Sequence, residues 1–240
     1  MLHNNPVTNA NLETQLLEGT GLTRRPIAIA FLDAPPGGIE KFRGSEPSSC
    51  SFWRIAAEGP FYTVPADHYN CPVGSYTHNT PLPESRGQEL TQILSFMGEI
   101  GYVQMEEIPE VFQLSKTPAV ILYAPLGDCP VEPSAVLFAG PPARVMLLIE
   151  AAIRAKTIAK LPLLARPTCM AIPAAISHGV VASAGCIGNR VYTGIGEGEL
   201  YVAVPGSALK QLAEAIPTVS TANSMLTDYH QSRRAQLSTR

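Results

Sequence analysis

Apolar residues fall into short blocks separated by proline- and glycine-rich stretches, and the spacing inside each block distinguishes helix from strand. Residues 11–18 place Leu12, Leu16 and Leu17 at helical spacing before Gly19 and Gly21 stop the pattern. Residues 26–32, Pro-Ile-Ala-Ile-Ala-Phe-Leu, run unbroken between Arg25 and Asp33, which predicts a strand covered on both faces. Residues 119–124, 135–139 and 200–204 read the same way. The stretch Asp33-Ala-Pro-Pro-Gly-Gly38 predicts a loop, and a short helix is expected over 51–59, after Cys50. No period emerges between residues 60 and 83.

Three longer helices are predicted. Leu90, Ile93, Leu94 and Met97 form one amphipathic stripe. Val145, Leu148, Ile149, Ala152 and Ile153 form a second, after Pro141 and Pro142. Leu209, Leu212, Ala213 and Ile216 form a third, capped by Ser207. From Thr218 the chain is polar, as a surface helix or a tail would be. Strands and helices interleave irregularly across long loops. That pattern predicts a single compact α+β domain, with a mixed α/β arrangement as the alternative, in which helices flank a mixed sheet. Residues 1–25 read as a helix and lead-in, 26–216 as the domain, and 217–240 as a polar helix or tail.

Composition narrows the class. The 240 residues are 45% hydrophobic and only 15% charged, against roughly 25% charged in an average soluble domain. Disordered and coiled-coil classes are thereby excluded. Seventeen basic and twenty acidic residues give a net charge of -3, leaving no basic surplus for a nucleic-acid backbone. Residues 167–189 carry no charged side chain, but Pro167, Pro173, Gly179, Gly185 and Gly188 interrupt them, so they read as protein interior and not as a membrane span. The alternative is that this uncharged stretch marks an interface, which predicts a homodimer or larger homo-oligomer. The first residues show no export pattern, and five cysteines, an odd number, argue against a disulfide framework. A cytoplasmic, reducing setting is expected.

Familiar catalytic signatures fail. Thr193-Gly-Ile-Gly-Glu-Gly198 precedes a strand and places Glu197 where a phosphate would sit, so it reads as a hairpin turn. Val181 occupies the first glycine position of a nucleophile elbow around Ser183. No catalytic residue is assigned, and whether the chain is an enzyme stays open. The cysteines remain. Cys50, Cys71, Cys169 and Cys186 each lie among Ser, Pro or Gly, which let backbone amides turn toward sulfur. Cys129 stands outside these two pairs. One reading makes all of them small buried hydrophobes of a cofactor-free binding or assembly subunit. The other brings Cys50, Cys71, Cys169 and Cys186 together as metal ligands. Widely spaced single ligands favour a 4Fe–4S cluster over zinc, whose structural sites use close cysteine pairs. A redox or small-molecule role would follow, with a redox partner in the first case. Were only three cysteines to ligate, His78 is a weaker candidate for the remaining iron. Cysteine nucleophile catalysis would need a base, for which His68, His78 and His178 are available. Arg190 is a candidate anion site or an ordinary surface ion pair.

Several local patterns, in order, resemble a widespread prokaryotic family, domain of unknown function 169. They are the run over 26–32, Cys50 opening a helical segment, Cys71-Pro-Val-Gly74, Val136-Leu-Phe-Ala-Gly140 before a helix, Cys169 before a helix, and Gly185-Cys186-Ile-Gly188-Asn-Arg190. Glu199-Leu-Tyr-Val-Ala-Val-Pro205 is similar to the family's closing strand. The resemblance implies loop cysteines at Cys50, Cys71, Cys169 and Cys186 and no assigned reaction. Cys129 matches no family position, and Ser75-Tyr-Thr-His-Asn79 replaces the family's usual glycine-rich stretch.

Overall fold

Strands that are apolar on both faces need two covers, and the chain supplies them as two unlike layers. The computed structural model describes residues 8–158 and 162–238. Seven strands, β1 (Ile27–Leu32), β2 (Phe61–Thr63), β3 (Val120–Pro125), β4 (Ala135–Gly140), β5 (Leu163–Leu164), β6 (Val181–Ser183) and β7 (Leu200–Pro205), form one sheet in the order β2-β3-β1-β4-β7-β6-β5. Every pairing is antiparallel except β5 with β6. The described helices are α1 (Asn9–Thr20), α2 (Ser51–Ile55), α3 (Pro72–Thr77), α4 (Glu84–Glu99), α5 (Pro142–Arg154), α6 (Ala171–His178), α7 (Ile187–Thr193) and α8 (Leu209–Ser238). The chain is a single α+β domain.

Alternate residues of each strand enter different cores. Ala28, Leu122, Val136 and Val202 pack with Leu16 of α1, Leu148 of α5 and Leu212 of α8. Ile29, Tyr123, Leu137 and Ala203 pack with Phe52 and Trp53 of α2 and Ile172 of α6. One cover is three long helices; the other is short helices and loops. Both faces are dry, which is why the strands read as continuous apolar runs and not as alternating ones.

The structure departs from the expected elements at several places. Helix α1 is longer, with Thr8 Oγ1 accepting from Asn11 N–H at 3.2 Å and Gly21 closing it in the left-handed region at φ 68°. Helix α2 stops at Ile55. The stretch without a period holds β2, a 3-10 turn (Pro65–His68) and α3, each too short to impose a repeat. The stripe of α4 is only half-buried, and Ile153, in the predicted stripe of α5, is 60% exposed. Residues 193–198 form no hairpin, because α7 precedes them; Gly194 ends that helix at φ 65°, and Gly196 N–H donates to the Glu199 carboxylate at 2.8 Å.

Helix α8 continues past the expected end at Ile216, straight through Pro217. Proline cannot donate to the Ala213 carbonyl one turn earlier. Gln15 of α1 donates its side-chain amide to that carbonyl at 2.7 Å, so the break in the ladder is satisfied from outside. Residues 167–189 lie mostly inside, around α6 and β6, as the interior reading expected. Among the described residues no helix is long and apolar enough to cross a membrane.

Burial separates two residues that the helical stripe treats alike. Leu148→Ala is expected to lower unfolding stability by about 2–5 kcal/mol in urea titration, because Leu148 is fully buried between α5 and the sheet. Ile153→Ala is expected to change it by less than about 0.5 kcal/mol. Equal losses would overturn the assignment of the two faces.

Candidate functional site

The short-helix layer is where the chain turns most often, and four cysteines sit at those turns. Cys50 immediately precedes α2, Cys71 precedes α3, and Cys186 precedes α7. Cys169 lies in the 3-10 turn (Thr168–Met170) that leads into α6. Cys50 and Cys169 are buried, Cys71 and Cys186 half-buried, and all are free thiols. Cys50 N–H donates to Ser48 Oγ at 3.3 Å, and the same hydroxyl lies 3.8 Å from Cys71 Sγ. Gly74 N–H donates to Cys71 Sγ at 3.3 Å. That approach requires glycine: a Cβ there would fall 2.3 Å from Ser49 Oγ and 2.9 Å from the sulfur. Gly185, at φ 79°, turns the chain into Cys186, whose N–H donates to Thr168 Oγ1. The loops of Cys169 and Cys186 are thus tied together.

These thiols act on one another electrostatically. Burial pushes the Cys50 thiol up to about 12, and the Cys71 and Cys186 thiols add to the rise, while the Asn189 and Ser48 side chains oppose it. Cys169 is driven well above the ordinary thiol range, first by burial and then by Cys50 and Cys71, with Cys186 contributing and the Thr77 hydroxyl opposing. Among the described residues, none of the groups acting on Cys50 or Cys169 is cationic. Ionised sulfurs gathered here would need positive charge between them. Among the described residues, no three His, Cys, Asp or Glu side chains close around a point tightly enough for one metal ion.

Two neutral side chains border the thiols without partners. Tyr123 is fully buried in β3, and its phenol is pushed far up by burial and then by Cys50, Cys169 and Cys71. Its hydroxyl makes no hydrogen bond. Asn189, one turn into α7 from Cys186, is 2% exposed. Its carboxamide opposes the rise of both the Cys50 thiol and the Tyr201 phenol, although neither of its polar atoms makes a hydrogen bond of ordinary geometry.

The other sequence candidates fall elsewhere or are already engaged. His68 is buried, with Nδ1 2.9 Å from Ser49 Oγ and Nε2 2.8 Å from Thr63 Oγ1. His78, also buried, stands edge-on to His68 at 5.2 Å between ring centroids, and its Nδ1 has no partner. His178 is exposed at the end of α6, its ring 4.8 Å from that of Phe112. Arg190 spends its guanidinium on the loop that carries it, donating to the carbonyls of Ala184, Gly196 and Glu199. Cys129 lies in the core on the opposite face of the sheet, its thiol donating to the Val131 carbonyl at 3.3 Å. Sequence reasoning missed Tyr123, Asn189, Ser48, Thr77 and Thr168. The signals were present: a lone hydroxyl inside a strand covered on both faces, and polar side chains within a helical turn of a cysteine.

The family model for domain of unknown function 169, described as uncharacterised ArCR, matches residues 15–215. Comparison with curated proteins and comparison with solved structures gave no match.

Burial lowers His78 from 6.5 to about 4. The unfolded chain therefore binds more protons than the folded one between these values. Stability is complete above pH 6.5 and is lost as the pH falls toward 4, by up to roughly 3 kcal/mol from this residue. His68, shifted in the same direction by burial and by His78, adds to the slope. In urea titrations at about pH 7 and about pH 5, His78→Asn is expected to narrow the gap between the two stabilities. An unchanged gap would show that His78 is not held neutral.

Proposed function

The chain belongs to domain-of-unknown-function family 169, and we propose that it is a metal-cofactor protein. In this reading Cys50, Cys71, Cys169 and Cys186 hold a 4Fe–4S cluster, with a redox or small-molecule role. The observation that carries it is the gathering of these free thiols, each disfavouring ionisation of the others, beside the Tyr123 hydroxyl and the Asn189 carboxamide. A cluster suits this arrangement better than zinc. Zinc structural sites commonly use close cysteine pairs, whereas these four cysteines come singly from separate turns.

The cluster would supply one-electron chemistry, or Lewis acidity at an iron left open by the protein. The chain's own residues define the setting. Gly74 N–H already donates to the Cys71 sulfur. Hydrogen bonds from the Tyr123 hydroxyl and the Asn189 amide to sulfur would stabilise the more reduced state and raise the potential. Rings of Phe52 and Phe61, each 5.6 Å from the Tyr123 ring, back the site and exclude water. A redox role implies a redox partner, and five free thiols suit a reducing, cytoplasmic setting. Self-association belongs to the same proposal, because Ile187, Val191 and Tyr192 of α7 remain exposed next to Cys186. Light scattering is expected to give a mass above that of one chain; a concentration-independent monomer would refute it.

Protein purified without oxygen is expected to be brown, with about four iron and four sulfide per chain. Stoichiometric zinc, or no metal, would overturn the cluster. Cys186→Ser is expected to abolish the visible absorption while leaving circular dichroism and cooperative melting intact. Cys129→Ser, on the other side of the sheet, is expected to retain it. Loss of native dichroism in a soluble Cys186→Ser protein would instead make the metal a folding determinant.

A further inference from the structure

A cavity of about 190 Å³ opens beside the thiol site. The same helices build both: α2, entered at Cys50, contributes Trp53 and Arg54, and α7, entered at Cys186, contributes Thr193. Tyr201 of β7 forms part of the wall and lies within electrostatic reach of Cys50, and burial raises its phenol to about 12. Ile27 and Leu137 provide an apolar floor from β1 and β4. The volume is below the roughly 300–1,000 Å³ of drug-sized sites, so an occupant would be small.

Its polar groups select a charge. Three arginines line the cavity, and no carboxylate is among the lining residues. Two of the arginines are already neutralised: Arg24 by a two-pronged bond to Glu199 at 2.9 and 2.8 Å, and Arg25 by Glu13 at 2.6 Å and Asp128 at 2.9 Å. Among the described residues Arg54 forms no salt bridge. Trp53 is 4% exposed, and its indole N–H is buried with no acceptor. Trp53 and Tyr201 meet edge to face at 5.6 Å, and Tyr201 donates its hydroxyl to Thr193 Oγ1 at 3.0 Å. An apolar floor, an aromatic wall of Trp53 and Tyr201 and a single guanidinium without a salt bridge suit one negative charge on a compact apolar body. The planar fork of arginine matches a carboxylate. A dianionic phosphate would ask for more free cation than the site holds.

We propose that this cavity binds a small organic monocarboxylate, with its carboxylate on Arg54 and its body against Trp53, Ile27 and Leu137. The proposal holds whatever the neighbouring thiols carry, and its test is separate from metal content. Trp53 is the only tryptophan in the chain, so its indole N–H gives a single nuclear-magnetic-resonance signal in the full-length ¹⁵N-labelled protein. Benzoate and isovalerate, one planar and one branched, are the probes. At least one is expected to shift that signal saturably at millimolar concentration and to give matching heat in calorimetry. Arg54→Gln is expected to weaken binding about tenfold or more, Arg54→Lys to restore part of it, and uncharged benzyl alcohol to bind correspondingly worse than benzoate. The proposal is overturned if neither carboxylate gives a saturable response, if Arg54→Gln keeps the wild-type affinity, or if benzyl alcohol matches benzoate.

Discussion

A sheet that is apolar on both faces has no side to turn to water, and the other elements of this chain are placed by the need to cover it. Antiparallel sheets commonly keep one face wet. Here Ala28 and Val202 point one way while Ile29 and Ala203 point the other, into two separate cores. The long helices α1, α5 and α8 dispose of the first face with regular hydrogen-bonded backbone. The second face is covered by pieces such as α2, α3 and α7, and a cover made of pieces contains many chain turns inside a dry environment. Polar backbone and small reactive side chains are therefore carried into the interior on that face alone.

The concentration of chemistry in one layer follows from this. A turn buried against a sheet has to satisfy its amides locally, which Ser48, Thr168 and the Cys71 sulfur do. The sulfurs of Cys50 and Cys169 are thereby shielded from water, and that of Cys71 accepts from a backbone amide. Local satisfaction fails at Tyr123 and Asn189, next to the thiols, and also at His78, Thr80 and Arg166. Trp53, on the helix that follows Cys50, is another such case, beside the arginine-rimmed cavity.

Much of the framework was legible from pattern alone, because burial on both sides writes uninterrupted apolar runs such as residues 26–32. The central strands and α5 came through for that reason. Elements too short to carry a period did not, which is why β2 and α3 were hidden in a proline-rich stretch. The stripe of α4 is real in spacing but only half covered, since periodicity reports which side faces the protein and not how completely it is covered. The length of α8 was hidden by Pro217, whose orphaned carbonyl is taken by Gln15, about two hundred residues away along the chain; no local rule contains that contact. At the site, the cysteines were visible as residue types in loop-like sequence. Their neighbours left only faint signals, because Tyr123 comes from β3, far from every cysteine of the set in sequence, and Asn189 differs from any surface asparagine only in where α7 lies.

The pairs of cysteines also set an order of events. Cys50 and Cys71 come from the first third of the chain, Cys169 and Cys186 from the last, and β3, β4 and α5 lie between them. Contacts of such wide sequence separation raise the contact order and form late, after the loop entropy between them has been lost. A chain still emerging from the ribosome with its last third unmade holds only half of the thiol set, on a sheet that still lacks β7 and β6. The complete set can therefore gather only once the last third of the chain is made, and β7, which joins β6 to β4, follows Cys186 in the sequence.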